Sequence, residues 1–342
     1  MRVSKIFSTA AIALVLGAAV SAAPPEGKGG GKGGGNGGDD EPPAEAFLPA
    51  IAYFEQSRKS KDLKLTNRAG DVACVVKQSG TSSAVLRGFV YDAANKMLAY
   101  SIGSRGIFLT TWDEDPCVVG DGTLIHSQAS PEFMDFSPDG NYLVWRETVQ
   151  DYSGFGTASE IFFYDLSSGT VSNISLDAHG GSRPEWGVNG EWAVSNVQFS
   201  PDFDPSNENS PDELIFRGAP LDGSLGEYES LFSYNIDGQS APRKFYDGGG
   251  DYIDIVMSVT NPTGGDEARI AITKGHVRQI AISNGAEGPT FDGYEPAYSC
   301  DNSEIIHRSG TGKADIRITA ADGSSTETWS KANLRFFDWF CP

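Results

Sequence analysis

The feature that most constrains the fold is a repeated unit in which an aromatic residue, a tight polar turn and an apolar strand follow one another. The clearest copy occupies residues 136–145 and reads FSPDGNYLVW. In its turn, proline fixes φ, aspartate hydrogen-bonds its own backbone and glycine accepts a positive φ. Weaker copies lie at residues 91–95, 186–190, around 261 and at 298–302, and the chain ends on WFCP, the first half of the unit.

The spacing of this unit predicts the architecture. A period near 40 to 45 residues with four short strands per repeat is typical of a β-propeller, and six turns predict six blades. The turn positions are Ala93, Pro138, Val188, Asn261, Cys300 and Cys341, which are separated by 45, 50, 73, 39 and 41 residues.

The remaining segments are also strand-like. Alternating strands closed by a glycine turn recur at residues 63–70, 161–169, 231–238, 279–285 and 316–323, and no amphipathic helix is evident. We therefore predict an all-β chain. Residues 334–340 are expected to form the innermost strand of a blade whose other three strands come from about 51–76. Pairing the two chain ends in one blade would remove free sheet edges.

Two stretches resemble a known family. FSPDGNYLVW and IAYFEQSRKSKDLKLTNRAG are similar to the repeats of TolB-like six-bladed propellers, the WD-like β-propeller repeat family, and the resemblance extends over residues 48–342. In TolB an α/β domain precedes the propeller, whereas here a glycine-rich segment occupies that place. The resemblance implies a binding or scaffold role, with a few enzymes among related proteins.

The segment before the propeller predicts export. Residues 1–22 have the basic start, apolar run and small-residue cleavage site of a signal peptide, and 23–46 read as a flexible glycine-rich linker before the propeller at 47–342. No cysteine lies near the cleavage site, so no lipid anchor is expected. No later segment is apolar over the roughly 18 residues that a membrane span requires. We predict a periplasmic or secreted monomer.

Charge narrows the range of partners. The formal net charge is −20, from 46 acidic and 26 basic residues. Such a chain repels nucleic-acid phosphates and anionic membranes, so neither is an expected partner.

The four cysteines of an exported chain suggest two disulfides, for which three pairings exist. The repeat alignment favours Cys300 with Cys341, which share the turn position of adjacent blades. It also favours Cys74 with Cys117, each of which heads a Cys-Val-Val strand.

Catalytic motifs are scarce in the sequence. There is no Gly-x-Ser-x-Gly elbow, and the four histidines form no ligand pair. One acidic loop is a candidate calcium site, because calcium prefers six to eight oxygen ligands. Its proposed ligands are Asp202, Asp204, Asn207 and Asp212, and a solvated acidic loop is the alternative. No other cofactor is expected.

Two extensions are candidate interaction loops. The surplus at residues 198–228 is assigned to the connection between the second and third strands of the fourth blade, and 150–159 to the same connection of the blade before. Both are expected on one face of the disc, where long loops on a rigid scaffold often bind partners. The proposed contact residues are Tyr152, Phe155, Phe203, Phe216 and Arg217.

These observations favour a non-catalytic binding or scaffold protein with a protein partner in the cell envelope. The alternative is a propeller enzyme of the glycoside hydrolase or lyase type that acts on a carbohydrate at the channel mouth. A cluster of carboxylates with raised pKa would favour the enzyme, and an exposed apolar patch on the long insertion would favour the binder.

Overall fold

In the computed structural model the chain divides into two units, Met1–Ala46 and Phe47–Pro342. The structure describes most of residues 51–339. The longer gaps within that range are 150–157, 175–191, 201–212, 221–229, 248–257 and 261–268, and shorter gaps occur elsewhere.

The described residues form six four-stranded antiparallel sheets, which we number as blades in chain order. Blade 1 has the order β24 (Leu334–Trp339), β1 (Ile51–Gln56), β2 (Ser60–Thr66) and β3 (Ala73–Gly80). Blade 2 contains β4 (Leu86–Asp92), β5 (Met97–Ile102), β6 (Gly106–Thr111) and β7 (Thr123–His126). Blade 3 contains β8 (Met134–Phe136), β9 (Tyr142–Val149), β10 (Ala158–Asp165) and β11 (Thr170–Asn173).

The second half of the chain repeats this arrangement. Blade 4 contains β12 (Trp192–Phe199), β13 (Glu213–Pro220), β14 (Ser230–Asn235) and β15 (Arg243–Tyr246). Blade 5 contains β16 (Ser258–Thr260), β17 (Arg269–Thr273), β18 (His276–Ala281) and β19 (Glu287–Asp292). Blade 6 contains β20 (Tyr294–Tyr298), β21 (Glu304–Arg308), β22 (Ile316–Ala320) and β23 (Thr326–Ser330). The prediction of an all-β, six-bladed β-propeller is confirmed.

The core lies between the blades. Six clusters of buried apolar residues correspond to the six blade boundaries, so each sheet buries one face against each neighbour. With β24 as the first strand of blade 1, contacts between neighbouring first strands join β4 to β8, β8 to β12, β16 to β20 and β20 to β24. The fourth strands of blades 2, 3, 5 and 6 consist of exposed or partly buried residues. This arrangement places a channel at the axis, lined by β24, β4, β8, β12, β16 and β20.

Closure of the ring by the chain ends is confirmed. Strand β24 pairs antiparallel with β1, with Ile51 opposite Trp339 and Ala52 opposite Asp338. At the boundary between blades 6 and 1, the Arg68 guanidinium donates to Glu304 and Glu327 at 2.9 and 2.6 Å. The non-covalent seam between the first and last strands is therefore supported by contacts between blades.

The repeated turn has the same hydrogen bonds in blades 3 and 6. The Ser137 hydroxyl donates to Asp139 Oδ1 at 2.5 Å, and the Ser299 hydroxyl donates to Asp301 Oδ1 at 2.8 Å. Hydrogen bonds from Ser303 and Ser299 lower the pKa of Asp301. Left-handed φ values of 66° at Gly140 and 61° at Asn302 close the two turns. The motif therefore recurs because its side chains replace missing backbone partners.

Blade 4 departs from the predicted repeat. Residues 192–199 form its first strand, so the turn predicted at Val188 is misplaced; residues 186–190 lie outside the described part of the chain. The first connection instead begins at Phe199-Ser200-Pro201-Asp202, which repeats the FSPD of residues 136–139. The Ser200 amide donates to the Glu213 carbonyl at 2.9 Å, as the Ser137 amide does to Tyr142. The surplus of residues lies inside this turn and in the next connection.

Candidate functional site

One end of the channel carries two aspartates at equivalent positions. We call the end where the first strand of each blade turns into the second the turn end, and the opposite end the loop end. Asp135 on β8 lies opposite Val144, and Asp338 on β24 lies opposite Ala52, near the start of each second strand. Each aspartate immediately precedes the aromatic residue of the repeat, Phe136 or Trp339.

Asp135 is held in an environment that disfavours its charge. It is partly accessible to solvent, although it lies on an innermost strand deep within the ring. Burial, together with a smaller effect of the Asp338 charge, raises its pKa to about 8. In the opposite direction, its Oδ2 accepts a hydrogen bond from the Phe199 amide of blade 4 at 2.7 Å. Asp135 is therefore largely protonated at neutral pH.

Asp338 is perturbed in the same direction by a smaller amount. Burial raises its pKa to about 6, while a hydrogen bond from the Trp339 amide to its Oδ1 at 2.9 Å lowers it. The two carboxyls lie on the first strands of blades 1 and 3, on either side of blade 2. At pH 7 the pair therefore holds a largely ionised Asp338 and a largely protonated Asp135.

This pair is unfavourable for folding at neutral pH. A carboxyl whose folded-state pKa is raised contributes its full stability only below the unfolded value near 3.8, and that contribution is lost as pH rises through the folded value. Groups with perturbed pKa that cost stability are concentrated at functional sites. The turn end of the channel is therefore the candidate site.

The structure does not place the two predicted interaction loops on a single face of the propeller. The segment 198–228 is not one loop, because β13 (Glu213–Pro220) lies within it. Successive connections of antiparallel strands alternate between the two ends. The connection after Phe199 therefore begins at the turn end, whereas 150–157 and 221–229 join strands at the loop end. The expectation of a single face is wrong for the first part of the insertion.

The structure buries two of the proposed contact residues and does not describe the other three. Phe216 and Arg217 lie in β13 rather than in a loop, with exposed fractions of 0% and 6%, so they are not surface contacts. Phe216 packs in the apolar boundary between blades 3 and 4. Tyr152, Phe155 and Phe203 lie outside the described residues. The four candidate calcium ligands, Asp202, Asp204, Asn207 and Asp212, also lie outside them.

The disulfide between Cys74 and Cys117 is confirmed, with a Cα–Cα distance of 5.6 Å. It joins β3 of blade 1 to the connection before β7 of blade 2, so Cys117 does not head a strand as predicted. Cys300 is also disulfide-bonded, and its predicted partner Cys341 lies outside the described residues. Disulfides are bonds of oxidising compartments.

The three histidines in the described part of the chain lie on strands other than those of Asp135 and Asp338. His126 Nε2 contacts Glu147 Oε2 at 3.1 Å between blades 2 and 3, and His276 pairs with Asp292. His307 is fully buried in blade 6, and His179 lies outside the described residues. Among the residues that the structure describes, no group of three His, Cys, Asp or Glu side chains is arranged to hold a metal ion. Within the same residues, no helix is long and apolar enough to span a bilayer.

Sequence reasoning did not single out Asp135 and Asp338. A signal was present, because in both the clearest copy of the repeat and the terminal half-copy an aspartate stands directly before the aromatic residue. With 46 acidic residues in the chain, that signal becomes informative only when the position is known to lie on an innermost strand.

Comparisons with solved structures show a likeness of fold. The chain is similar to an oligogalacturonate lyase from Vibrio parahaemolyticus, with 12% sequence identity and a TM-score of 0.48, over 83% of this chain and 79% of that one. No protein-family model matches the chain, and no curated protein matches its sequence. The assignment as a six-bladed propeller stands on the strand pairing itself.

Proposed function

We propose that this chain is an exported, TolB-like propeller that acts without catalysis, as a binding or scaffold module for a protein of the cell envelope or extracellular space. Its binding site is the turn end of the channel. The observation that supports this proposal is the pair Asp135 and Asp338, retained at equivalent positions where their charges are disfavoured. Export is supported by the disulfide and by the signal-like residues 1–22.

The site combines features that favour recognition of another molecule. The six blades hold the channel wall rigidly, because every boundary between them is packed with buried apolar side chains. The longest connection of blade 4 starts at Phe199, whose amide is bound by Asp135. A rigid wall beside an extended connection is a common arrangement for a binding site.

The test uses the full exported chain as bait in an extract of the cell envelope, followed by measurement of affinity for the captured protein. With capture carried out at pH 9, where both carboxyls are ionised, Asp135→Asn and Asp338→Asn are expected to lose that protein, because the amide cannot carry the carboxylate's charge. The matched control is Asp322→Asn, an exposed carboxylate between β22 and β23 at the same end. Equal capture by all four proteins would reject the channel mouth as the binding site.

Folding of the two site variants can be checked in the same experiment. Replacing a carboxyl of raised pKa by its neutral isostere is expected to raise the melting temperature at pH 8 and to leave it nearly unchanged at pH 4. A lower melting temperature at both pH values would attribute any loss of binding to misfolding, and charge-preserving Asp135→Glu would then serve as the second variant.

A second candidate function is catalysis on a carbohydrate, favoured by the same two side chains. A protonated Asp135 and an ionised Asp338 would supply a general acid and a general base at neutral pH. Incubation with neutral and acidic oligosaccharides, with products identified by mass spectrometry, tests it. We expect an active protein to show a bell-shaped pH profile between about 6 and 8 and to lose activity in Asp135→Asn. Absence of product from every substrate would reject this candidate.

A further inference from the structure

The position of Asp135 and Asp338 recurs around the whole channel. In each blade it pairs with a residue near the start of the second strand, and the register is shared: Asp135 with Val144, Gln198 with Ile215, Ala297 with Ile306. The six occupants in blade order are Asp338, Val90, Asp135, Gln198, Ser258 and Ala297. We call this set the mouth ring.

The mouth ring is not uniform. Val90 and Ala297 pack into the apolar boundaries between blades 2 and 3 and between blades 6 and 1. The position is therefore compatible with an ordinary core residue. Asp338, Asp135 and Gln198 replace such a residue with a polar side chain, so their presence is not required by the fold.

Gln198 is the most informative of the three. Its side-chain oxygen Oε1 is buried and has no hydrogen-bond partner among the residues that the structure describes. A buried acceptor without a donor costs about 1–3 kcal/mol, and in native proteins it usually indicates a missing partner. Gln198 also directly precedes Phe199, whose amide is bound by Asp135, so the two polar residues lie on neighbouring first strands.

We infer that Gln198 is a third ligand-contacting side chain of the channel mouth, and that the group bound there is a primary ammonium, such as the end of a lysine side chain of a protein partner. This inference rests on the proposed binding function. An ammonium carries three N–H donors and no acceptor. It therefore complements the amide oxygen of Gln198 and the carboxylate oxygens of Asp338 and Asp135, all of which accept hydrogen bonds. A net charge of −20 also attracts cations.

The ring also predicts how binding depends on pH. The titratable groups at its six positions are Asp135 and Asp338, and the chain contacts that face Asp135 are the amides of Phe199 and Phe136. Both carboxyls become fully ionised only as pH rises through about 6 and then about 8. Affinity for an ammonium group is therefore expected to increase between pH 6 and pH 9.

The experiment measures dissociation constants of the full exported chain by NMR titration with three small probes. Butylammonium has both charge and N–H donors, tetramethylammonium has charge without donors, and butanol has a donor without charge. We expect butylammonium to bind at least several-fold more tightly than either of the others. Gln198→Leu is expected to weaken butylammonium binding about tenfold, consistent with loss of one hydrogen bond to a charged group.

Matched variants separate this effect from a loss of folding. Gln198→Leu removes an unsatisfied buried oxygen, so its melting temperature is expected to equal or exceed that of the wild type. Gln198→Glu keeps the acceptor and is expected to retain binding at pH 8. Unchanged butylammonium affinity in Gln198→Leu would overturn the role of Gln198.

The outcomes also separate the inference from the function on which it rests. If no probe binds but the bait still captures a protein that depends on Asp135, the ammonium assignment is wrong and the binding function stands. If tetramethylammonium binds as well as butylammonium, charge alone is recognised and the donor argument fails. If neither probe nor protein binds, both proposals fail.

Discussion

Between blades 1 and 2, ten described residues form a buried apolar cluster, and the Cys74–Cys117 disulfide joins the outer parts of the two blades. Between blades 5 and 6, four described residues form the buried apolar cluster. The same repeat thus builds both boundaries, but the first is held by apolar packing and a covalent bond. The second boundary also contains buried polar contacts among its described residues.

The polar contacts between blades 5 and 6 are buried and directional. The Tyr298 hydroxyl donates to Gln279 Oε1 at 2.9 Å. On the blade 6 side, His307 Nε2 lies 2.8 Å from Thr319 Oγ1 of the same blade, and the His307 ring contacts Phe291 of blade 5 with 5.0 Å between ring centroids. Burial lowers the pKa of His307 to about 4, a backbone hydrogen bond to Arg308 opposes this shift, and the charge of Arg317 adds to it. This boundary should therefore respond to pH, whereas the boundary between blades 1 and 2 should respond to loss of volume or of the disulfide.

The largest effect is expected from an apolar truncation at the boundary between blades 1 and 2. Phe54 is 1% exposed and packs edge-to-face on Phe89 at 5.0 Å. Phe54→Ala should reduce the free energy of unfolding by about 3–5 kcal/mol, because it removes transfer free energy and leaves a cavity. Denaturant unfolding at pH 7 measures the change. A loss below about 1 kcal/mol would show that apolar packing does not dominate this boundary.

Removal of the disulfide should have the next largest effect. The bond encloses residues 43 apart, for which chain entropy predicts a contribution of about 4 kcal/mol. The double variant Cys74→Ala, Cys117→Ala should unfold at correspondingly lower denaturant concentration. The variant is preferable to reducing agent, because Cys300 is also disulfide-bonded. An unchanged unfolding midpoint would show that this disulfide does not stabilise the folded state.

Acid should selectively weaken the boundary between blades 5 and 6. Because the pKa of His307 falls from 6.5 to about 4 on folding, the unfolded state binds a proton more readily. Above about pH 6.5, neutral His307 makes its full contribution to the free energy of unfolding. This contribution is lost as pH falls toward 4, a change of about 3 kcal/mol.

The acid effect is measured as the difference between His307→Gln and the wild type in unfolding free energy at pH 7 and pH 4.5. The difference should narrow or reverse at the lower pH, because glutamine cannot be protonated. The control His276→Gln alters a half-exposed histidine paired with Asp292 and should show no comparable trend. Parallel pH curves for wild type and His307→Gln would contradict the assignment.

The smallest effect is expected from removing one partner of His307. Thr319→Val keeps the shape of the side chain but leaves the His307 nitrogen without its hydrogen bond, which should cost about 1–2 kcal/mol. Thr326→Val, at an exposed neighbour that contacts Thr319 at 3.0 Å, is the matched control and should cost less. Equal costs in thermal unfolding would show that the contact with His307 adds nothing specific.

Much of the fold was predictable because the repeat is a local signal. The FSPDG turn, the glycine turns and the terminal half-unit each depend on residues close in sequence, and together they predicted six blades closed by β24 and β1. The prediction failed in blade 4, where the turn residues Ser200 and Glu213 are separated by an insertion. The true FSPD copy at 199–202 was therefore passed over for the weaker one at 186–190.

The candidate site was less accessible to sequence reasoning. Phe216 and Arg217 were assigned to a loop because they lie inside a long interval, but the continuous apolar run Leu214-Ile215-Phe216 also fits a strand that is buried on both faces. Asp135 and Asp338 are ordinary acidic residues in sequence. Their raised pKa values arise from burial at the centre of the ring, which depends on blades distant along the chain.

The sequence by itself therefore determined the class of fold, the number of blades and the closing strand, because turn chemistry and strand alternation are local properties. It also predicted the Cys74–Cys117 bond through the repeat alignment. Only the tertiary structure decided which polar residues lie on the innermost strands, which boundary contains buried polar contacts and which end each connection occupies. Those properties depend on how six sheets close around one axis, since closure alone sets the burial and the neighbours of each side chain.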